Sequence, residues 1–211
     1  MGQPDKNLIV IGSGGHARIV IDIAVSVGYS ISGIIDINYD NEKEKILKYP
    51  ILGNFNIIDQ LSPKEHCVVI AIGEGVQRTD YYKKVKRLGY LMPSLVHPSS
   101  IISKHAKIGE SVLINAGVII NAEAVIGDNT IINTGAIIDH EVIIGNHSHV
   151  CPGVKLAGRV IVGDSCMIGV GSCVINNIKI GNNVKVGAGS VIIKNIVSNS
   201  TIVGIPGKPI R

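Results

Sequence analysis

The sequence predicts a chain of two parts, an α/β half domain over residues 1–96 and a parallel β-helix over residues 97–211. Of the 211 residues, 39 are Ile and 24 are Val, and these β-branched residues favour strands. Strand-like and helix-like segments alternate up to about residue 96, whereas aliphatic residues recur every six positions from Ile102 onward. These observations exclude a disordered chain and disfavour an all-helical bundle.

The first part alternates short apolar runs with segments of helical length. The pattern predicts strands over residues 7–12, 32–36 and 67–73, helices over 16–27 and 76–88, and a charged loop over 38–49. Strands separated by helices indicate βαβ units and therefore a parallel sheet.

A glycine-rich segment, Gly12-Ser-Gly-Gly-His-Ala17, follows the first predicted strand and opens the first predicted helix. It fits the pattern G-x-G-x-x-A, in which the backbone approaches a phosphate and the helix N-terminus supplies N–H groups. Asp36, nineteen residues after Ala17, is placed for a ribose hydroxyl. Since about 95 residues are too few for two mononucleotide halves, we predict one nucleotide rather than NAD, with His16 facing it. The alternative is a glycine turn that serves only helix–strand packing.

The second part is governed by a period of six. Every sixth residue from Ile102 to Ile192, sixteen positions in all, is Ile, Val or Leu without exception. The residue after each of these positions is often a turn former. Neither a helix nor a simple strand selects this spacing, but short strands joined by tight turns around a three-sided prism do. Three hexads per coil give five coils, with residues eighteen apart in register. No insertion interrupts the hexads, so flat walls favour packing into a closed trimer.

One hexad carries the sequence Asp139-His140-Glu141. Because the aliphatics take the interior positions, we expect His140 to face outward. An imidazole has an ordinary pKa near 6.5, and an adjacent carboxylate fixes its tautomer and raises its basicity, which suits a general base. Eighteen residues on stands Gly158, which leaves space beside the imidazole and a backbone N–H for an oxyanion. The alternative is a solvated turn histidine.

Metal and disulfide chemistry find little support. His147 and His149 form an H-x-H pair, but no third ligand stands at a fixed spacing, so we predict no metal. The four cysteines show no C-x-x-C spacing and are expected to be buried or incidental thiols; they are Cys67, Cys151, Cys166 and Cys173.

Composition also narrows the partners and the location. A net charge of +4, with six Tyr, one Phe and no Trp, argues against a nucleic-acid surface. No apolar run approaches the ~20 residues of a membrane span, and the N-terminus has no signal-peptide core. We therefore expect a cytoplasmic protein.

The residues resemble a known family of bacterial sugar acyltransferases, the group that contains sialic acid O-acetyltransferases and UDP-4-amino-sugar N-acetyltransferases. Six segments over nearly the whole chain carry the resemblance: Ile11-Gly-Ser-Gly-Gly-His16, Pro50-Ile-Leu-Gly53, Ala71-Ile-Gly73, Ile138-Asp-His-Glu-Val142, His147-Ser-His-Val150 and Val203-Gly-Ile-Pro-Gly-Lys208. The resemblance implies a Rossmann-like N-terminal half domain, a left-handed β-helix of hexapeptide repeats, a homotrimer, and acetyl-CoA in the groove between neighbouring helices.

The resemblance also implies roles for individual residues. The implied catalytic residues are His140 as general base, Glu141 raising its basicity, and Gly158 as oxyanion donor. The implied acetyl-CoA contacts are His149 from the neighbouring chain, Val170 and Ala188. The implied nucleotide-sugar contacts are Gly14, Gly15, His16, Asp36 and Gly73.

The expected activity is acetyl-CoA-dependent N-acetylation of the 4-amino group of a nucleotide-linked amino-dideoxy sugar, for bacterial surface glycan biosynthesis. Three other functions stay open. One is O-acetylation of sialic acid or a related nonulosonate, since the same base serves a hydroxyl. Another is a non-catalytic β-helix scaffold or binding module. An NAD-dependent oxidoreductase is the weakest of the three, because a second nucleotide half is missing.

Overall fold

The computed structural model describes residues 7–39 and 45–210. Two compact units make up the chain, Met1–Pro98 and Ser99–Arg211. The first combines helices with a mostly parallel sheet, and the second consists of short, mostly parallel strands stacked in three walls. The predicted succession of an α/β part and a parallel β-helix is confirmed.

The first unit contains six strands, two α-helices and one 3₁₀-helix among its described residues. In chain order these are β1 (Asn7–Ile11), α1 (Gly15–Ser26), β2 (Ile31–Ile35), β3 (Lys45–Ile46), β4 (Tyr49–Gly53), the 3₁₀-helix (Phe55–Gln60), β5 (His66–Ile70), α2 (Gly75–Arg87) and β6 (Leu95–Val96). Both helices lie within one residue of their predicted bounds, because apolar periodicity and flanking glycines define them well.

The region predicted as a charged loop is only partly a loop. Residues 40–44 of it lie outside the described part of the chain, but β3 pairs antiparallel with β4, which begins at Tyr49. Charged residues concealed this hairpin, since its strands are short and lie at the edge of the sheet.

The sheet of the first unit has the order β3-β4-β2-β1-β5, with β1 parallel to both neighbours. From β1 the chain continues to β2 on one side of β1, and it later returns to place β5 on the other side of β1. The strand order therefore reverses beside β1, and a crevice opens at the carboxyl ends of the strands. Buried aliphatics from the sheet, together with Tyr82 and Tyr90, form the core below it.

The second unit is built from two- and three-residue strands. These are β7 (Ile101–Ile102), β8 (Lys107–Ile108), β9 (Leu113–Ile114), β10 (Ile119–Ile120), β11 (Val125–Ile126), β12 (Ile131–Ile132), β13 (Ile137–Ile138), β14 (Ile143–Ile144), β15 (His149–Val150), β16 (Lys155–Leu156), β17 (Ile161–Val162), β18 (Met167–Ile168), β19 (Cys173–Val174), β20 (Lys179–Ile180), β21 (Lys185–Val186), β22 (Val191–Ile192), β23 (Thr201–Val203) and β24 (Lys208–Ile210).

From β7 to β22, every third strand belongs to the same wall of the prism. Wall 1 holds β7, β10, β13, β16, β19 and β22, wall 2 holds β8, β11, β14, β17 and β20, and wall 3 holds β9, β12, β15, β18, β21, β23 and β24. Partners on neighbouring coils are eighteen residues apart, as in Ile120–Ile138–Leu156, which confirms three hexads per coil. The interior aliphatics from Ile114 to Ile192 are at most 2% exposed. The last coil is shorter, since Val186 pairs with Ile202 sixteen residues on.

The turns between walls share one conformation. Every sixth residue from Ser111 to Gly189 has a positive φ, and it is the third residue after the interior aliphatic rather than the next one. The turn between walls 3 and 1 has glycine at this position on five successive coils, whereas the turn between walls 1 and 2 has Glu123, Glu141 and Arg159. Charged side chains are uncommon at positive φ, because the Cβ atom is crowded there, yet this turn has one on three successive coils.

Within the described residues, no helix has the length and apolar character needed to cross a lipid bilayer. Three of the four cysteines, Cys67, Cys151 and Cys166, are buried, and Cys173 is half-buried. All four are free thiols.

Candidate active site

The glycine-rich segment forms the turn from β1 into α1. Gly14 is the N-cap residue of α1 and has no side chain to cap it, and the first turn carries no acidic residue. The first turn therefore has no carboxylate that would compete with an anion, and the helix dipole favours an anion there, although the N–H of Ala17 already donates to the carbonyl oxygen of Gly14. This arrangement suits a phosphate group.

A pocket of about 360 Å³ lies in the crevice at the carboxyl ends of the strands. Loops after β1, β2 and β5 line it, and they bring together the five residues expected to contact a nucleotide-sugar: Gly14, Gly15, His16, Asp36 and Gly73. A methyl group at Gly14, Gly15 or Gly73 would meet no atom within 4 Å. These glycines therefore keep space open that a ligand would use.

Gly12 has a different reason to be glycine. Its φ is +113°, and a methyl group there would lie 2.7 Å from the carbonyl oxygen of Ala71. The close approach of the two loops requires this residue even without a ligand.

His16 is a half-buried member of the pocket wall, and burial, followed by the charge of Arg78, lowers its pKa to about 4. The imidazole is therefore neutral at pH 7. Arg78 is 1% exposed and donates from Nη1 to the carbonyl oxygens of Gly73, at 2.9 Å, and Ile72, at 3.4 Å. A buried guanidinium thus lies directly behind the pocket. The sequence reasoning missed Arg78, because in a basic helix it looks like one more solvated charge.

Asp36 follows β2 and lines the same pocket. Its Oδ1 accepts a hydrogen bond from the backbone N–H of Asn38 at 3.0 Å, which holds the carboxylate at the start of the loop. The carboxylate is in position for a hydroxyl donor.

In the second unit, His140 lies in the turn between walls 1 and 2, and its side chain is 51% exposed. Its Nδ1 lies 3.0 Å from Oε2 of Glu141. This hydrogen bond, followed by the charge of Arg159, lowers the pKa of the Glu141 carboxyl. The ionised carboxylate of Glu141 accepts a hydrogen bond from a protonated Nδ1 of His140. In this tautomer the lone pair of the imidazole is on Nε2.

Gly158 lies against the other side of the imidazole. A methyl group on Gly158 would come within 2.5 Å of both Nε2 and Cε1 of His140. Gly158 itself is buried. Only a residue without a side chain leaves room for His140 in this orientation.

The carboxylate of Asp139 supports the same turn. It accepts hydrogen bonds from Nδ2 of Asn121, at 2.9 Å, and from the backbone N–H of His140, at 2.7 Å. The hydrogen bond from Asn121 lowers the pKa of the Asp139 carboxyl most, and the one from the backbone of His140 comes second. The backbone of Gly158 has the smallest lowering effect. The backbone N–H of Gly158, expected to hold an oxyanion, therefore also faces the carboxylate of Asp139.

Arg159 is the other charged group of this turn, and it was not foreseen. Its Nε lies 3.0 Å from Oε2 of Glu141, the oxygen that also faces His140. Residues eighteen apart lie on neighbouring coils, which places Gly158 beside His140 and Arg159 beside Glu141. The sequence spacing could therefore have identified Arg159 as a neighbour of Glu141.

The residues expected to contact acetyl-CoA lie elsewhere on the prism. His149 is in β15 of wall 3, with Nε2 3.2 Å from Nδ2 of Asn133. Val170 and Ala188 lie in the glycine-containing turns between walls 3 and 1, and Val170 is 53% exposed. Wall 3 is opposite the turn that carries His140, so one prism does not bring His140 and His149 together. Among residues 7–39 and 45–210, no cluster of three His, Cys, Asp or Glu could hold a metal.

Two protein families match parts of the chain. Residues 7–85 match the PglD N-terminal domain, and residues 123–158 match the bacterial transferase hexapeptide family. No curated protein sequence matches the chain.

Solved structures match nearly the whole chain. The acetyltransferase domain of PglB from Neisseria gonorrhoeae is 30% identical with a TM-score of 0.92, covering 97% of this chain and 100% of that one. A variant of perosamine N-acetyltransferase from Caulobacter crescentus, in complex with CoA and GDP-perosamine, is 32% identical with a TM-score of 0.93, covering 100% of both chains. WeeI from Acinetobacter baumannii shares the fold, at 23% identity and a TM-score of 0.87, covering 97% of this chain and 100% of that one.

Fold and similarity together define a hexapeptide-repeat acyltransferase with a left-handed β-helix and a Rossmann-like N-terminal half domain. The chain belongs to the bacterial left-handed β-helix sugar acetyltransferase family.

Proposed function

We propose that the protein transfers the acetyl group of acetyl-CoA to the 4-amino group of a nucleotide-linked amino-dideoxy sugar. The observation that carries the proposal is the turn in which His140 contacts Glu141 on one side and Gly158 on the other. The similarity to an N-acetyltransferase solved with CoA and GDP-perosamine supports both the cosubstrate and the class of acceptor.

In the proposed reaction, Nε2 of His140 accepts a proton from the sugar amine as the nitrogen lone pair attacks the thioester carbonyl carbon. The new C–N bond forms, and the carbonyl oxygen becomes an oxyanion that the N–H of Gly158 stabilises. The intermediate collapses when the C–S bond breaks and the CoA thiolate leaves.

The N-terminal unit is proposed to bind the nucleotide-sugar. Gly14, Gly15 and the start of α1 receive the phosphates, and Asp36 accepts from the ribose. A neutral His16 in front of Arg78 donates to a phosphate or sugar oxygen without the cost of charging a buried ring. Gly73 leaves room in the wall of the same pocket.

The working assembly is proposed to be a homotrimer with the active sites between subunits. Lys107, Lys155 and Lys179 occupy some outward positions of walls 1 and 2, which flank the His140 turn, but five of the other outward positions are aliphatic where a solvated face would carry polar residues. These are Ile119, Ile137, Val125, Ile143 and Ile161. A threefold assembly covers these walls and brings His149, Val170 and Ala188 of a neighbour toward His140.

The setting proposed for this reaction is the cytoplasm of a bacterium, in the biosynthesis of a surface polysaccharide or another glycan. Nucleotide-linked sugars and acetyl-CoA are both available there.

The test is a thiol-release assay with acetyl-CoA against UDP-, dTDP-, GDP- and CMP-linked amino sugars and free nonulosonates. We expect turnover with at least one nucleotide-linked amino sugar, and a product heavier by one acetyl group. The matched acceptor with a hydroxyl in place of the amine should be inert. Turnover only with hydroxyl acceptors would instead establish O-acetylation, and release with no acceptor at all would refute both.

A further inference from the structure

Arg159 contacts the proposed catalytic pair from the next coil of the prism. Its Nε donates to Oε2 of Glu141 at 3.0 Å, and its backbone N–H donates to the carbonyl oxygen of His140, also at 3.0 Å. The same Oε2 lies 3.0 Å from Nδ1 of His140. One carboxylate oxygen is therefore held between an imidazole and a guanidinium.

The Glu141 side chain would otherwise have considerable freedom. It is 39% exposed, and its partner His140 is its neighbour in sequence and even more exposed. A contact between two exposed side chains is weakened by water and by the rotamers that each loses. A second contact from a different coil restricts the carboxylate, since the planar guanidinium donates in a fixed direction.

The backbone at Arg159 makes this choice of residue informative. Its φ is +62°, a conformation that glycine and asparagine adopt more readily, and Asn177 stands at the same position one coil further. An arginine here carries a conformational cost that asparagine largely avoids. The contact with Glu141 gives a reason for it.

We propose that Arg159 is a positioning residue for acyl transfer, which holds the carboxylate of Glu141 on Nδ1 of His140 and so keeps the lone pair on Nε2. The inference rests on the proposed function, because it concerns the same base. Arg159 acts through Glu141 and is not itself placed against a substrate.

The first test is a kinetic double-mutant cycle. The variant Arg159→Asn is suitable because asparagine readily adopts the left-handed conformation of this turn. It should lower kcat about 3- to 10-fold, which is a part of the rate enhancement that a general base supplies. Both KM values should stay within twofold of wild type. In a Glu141→Gln background the same change should cost nothing further. Arg159→Lys should restore part of the loss, whereas Lys64→Asn, which removes an equal charge from an exposed turn before β5, should have no effect.

Three results would overturn the inference. Arg159→Asn could leave kcat unchanged, could cost the same in the Glu141→Gln background, or could raise only a KM value, which would mark a substrate contact. Each is distinguishable from loss of fold by thermal unfolding of the same samples.

A second readout needs no activity. In protein labelled with ¹⁵N-histidine, the imidazole assigned to His140 should lose part of its Nδ1-protonated tautomer above pH 8 in Arg159→Asn but not in Lys64→Asn. An unchanged tautomer ratio would refute the positioning role. If wild-type protein acetylates no acceptor but the tautomer shifts, the proposed function fails while the positioning contact stands.

Discussion

The imidazole of His140 occupies the place that a side chain on Gly158 would need, with Nε2 and Cε1 only 2.5 Å from the position of a methyl group. Ala122, one coil before His140 in the same column, shows that this turn position accepts a methyl group when no ring lies over it. The glycine is thus required by the neighbouring histidine rather than by the turn.

Gly158→Ala should therefore displace the imidazole and disturb the N–H proposed for the oxyanion. We expect kcat to fall by about 10²–10³, the size of effect typical for loss of one oxyanion donor. Circular dichroism and thermal unfolding should remain close to wild type, because the ring is exposed and can swing into solvent. Full activity in Gly158→Ala would contradict the geometry.

The two glycines of the nucleotide loop should respond in opposite ways to substitution. Gly12→Ala should destabilise the protein by a few kcal/mol, since the methyl group meets the backbone of Ala71 at a strained φ. Gly15→Val should leave stability nearly unchanged but raise KM for the nucleotide-sugar, because its side chain enters the open pocket.

Urea unfolding and initial-rate kinetics on both variants test this contrast. The KM for acetyl-CoA serves as the internal control and should stay constant in Gly15→Val. A Gly15→Val variant that binds the nucleotide-sugar normally would remove the pocket from the proposed site.

Burial of His16 predicts a pH dependence of stability. The imidazole takes up a proton below pH 6.5 in the unfolded chain but only below about pH 4 in the folded protein. The unfolded state binds more protons between those values, so the free energy of unfolding should fall as pH drops from 6.5 to 4. This one group accounts for roughly 3 kcal/mol over that window.

His16→Gln isolates the contribution of this group. The variant should lose less stability than wild type between pH 7 and pH 4.5, measured by urea unfolding with the slope of the transition held common. Parallel curves for the two proteins would show that His16 is not the group that titrates.

The aliphatic walls predict the effect of a charge at Ile143, which is 43% exposed on wall 2. Ile143→Lys should convert the proposed trimer to a monomer and abolish turnover. Leu88→Lys, a similarly exposed aliphatic at the end of α2 at 40%, should change neither. Light scattering on a sizing column measures the oligomeric mass directly. A wild-type protein that is monomeric and fully active would refute an active site formed between subunits.

The sequence predicted the β-helix in detail because one rule acts throughout it. Each interior aliphatic from Ile114 to Ile192 is buried, and the spacing alone located Gly158 beside His140. Arg159 and Asn121 follow from the same register, but their roles depend on side-chain contacts that spacing does not reveal. The β3–β4 hairpin and Arg78 were missed, since short edge strands and buried charges depend on tertiary surroundings.

The most direct test of the account compares wild type with His140→Gln in acetyl transfer from acetyl-CoA to the best nucleotide-linked amino sugar of the panel. The variant should lose about 10²–10⁴ in kcat, the usual contribution of a general base, with both KM values and the oligomeric mass unchanged. A His140→Gln enzyme that turns over at the wild-type rate would contradict the assignment of the base.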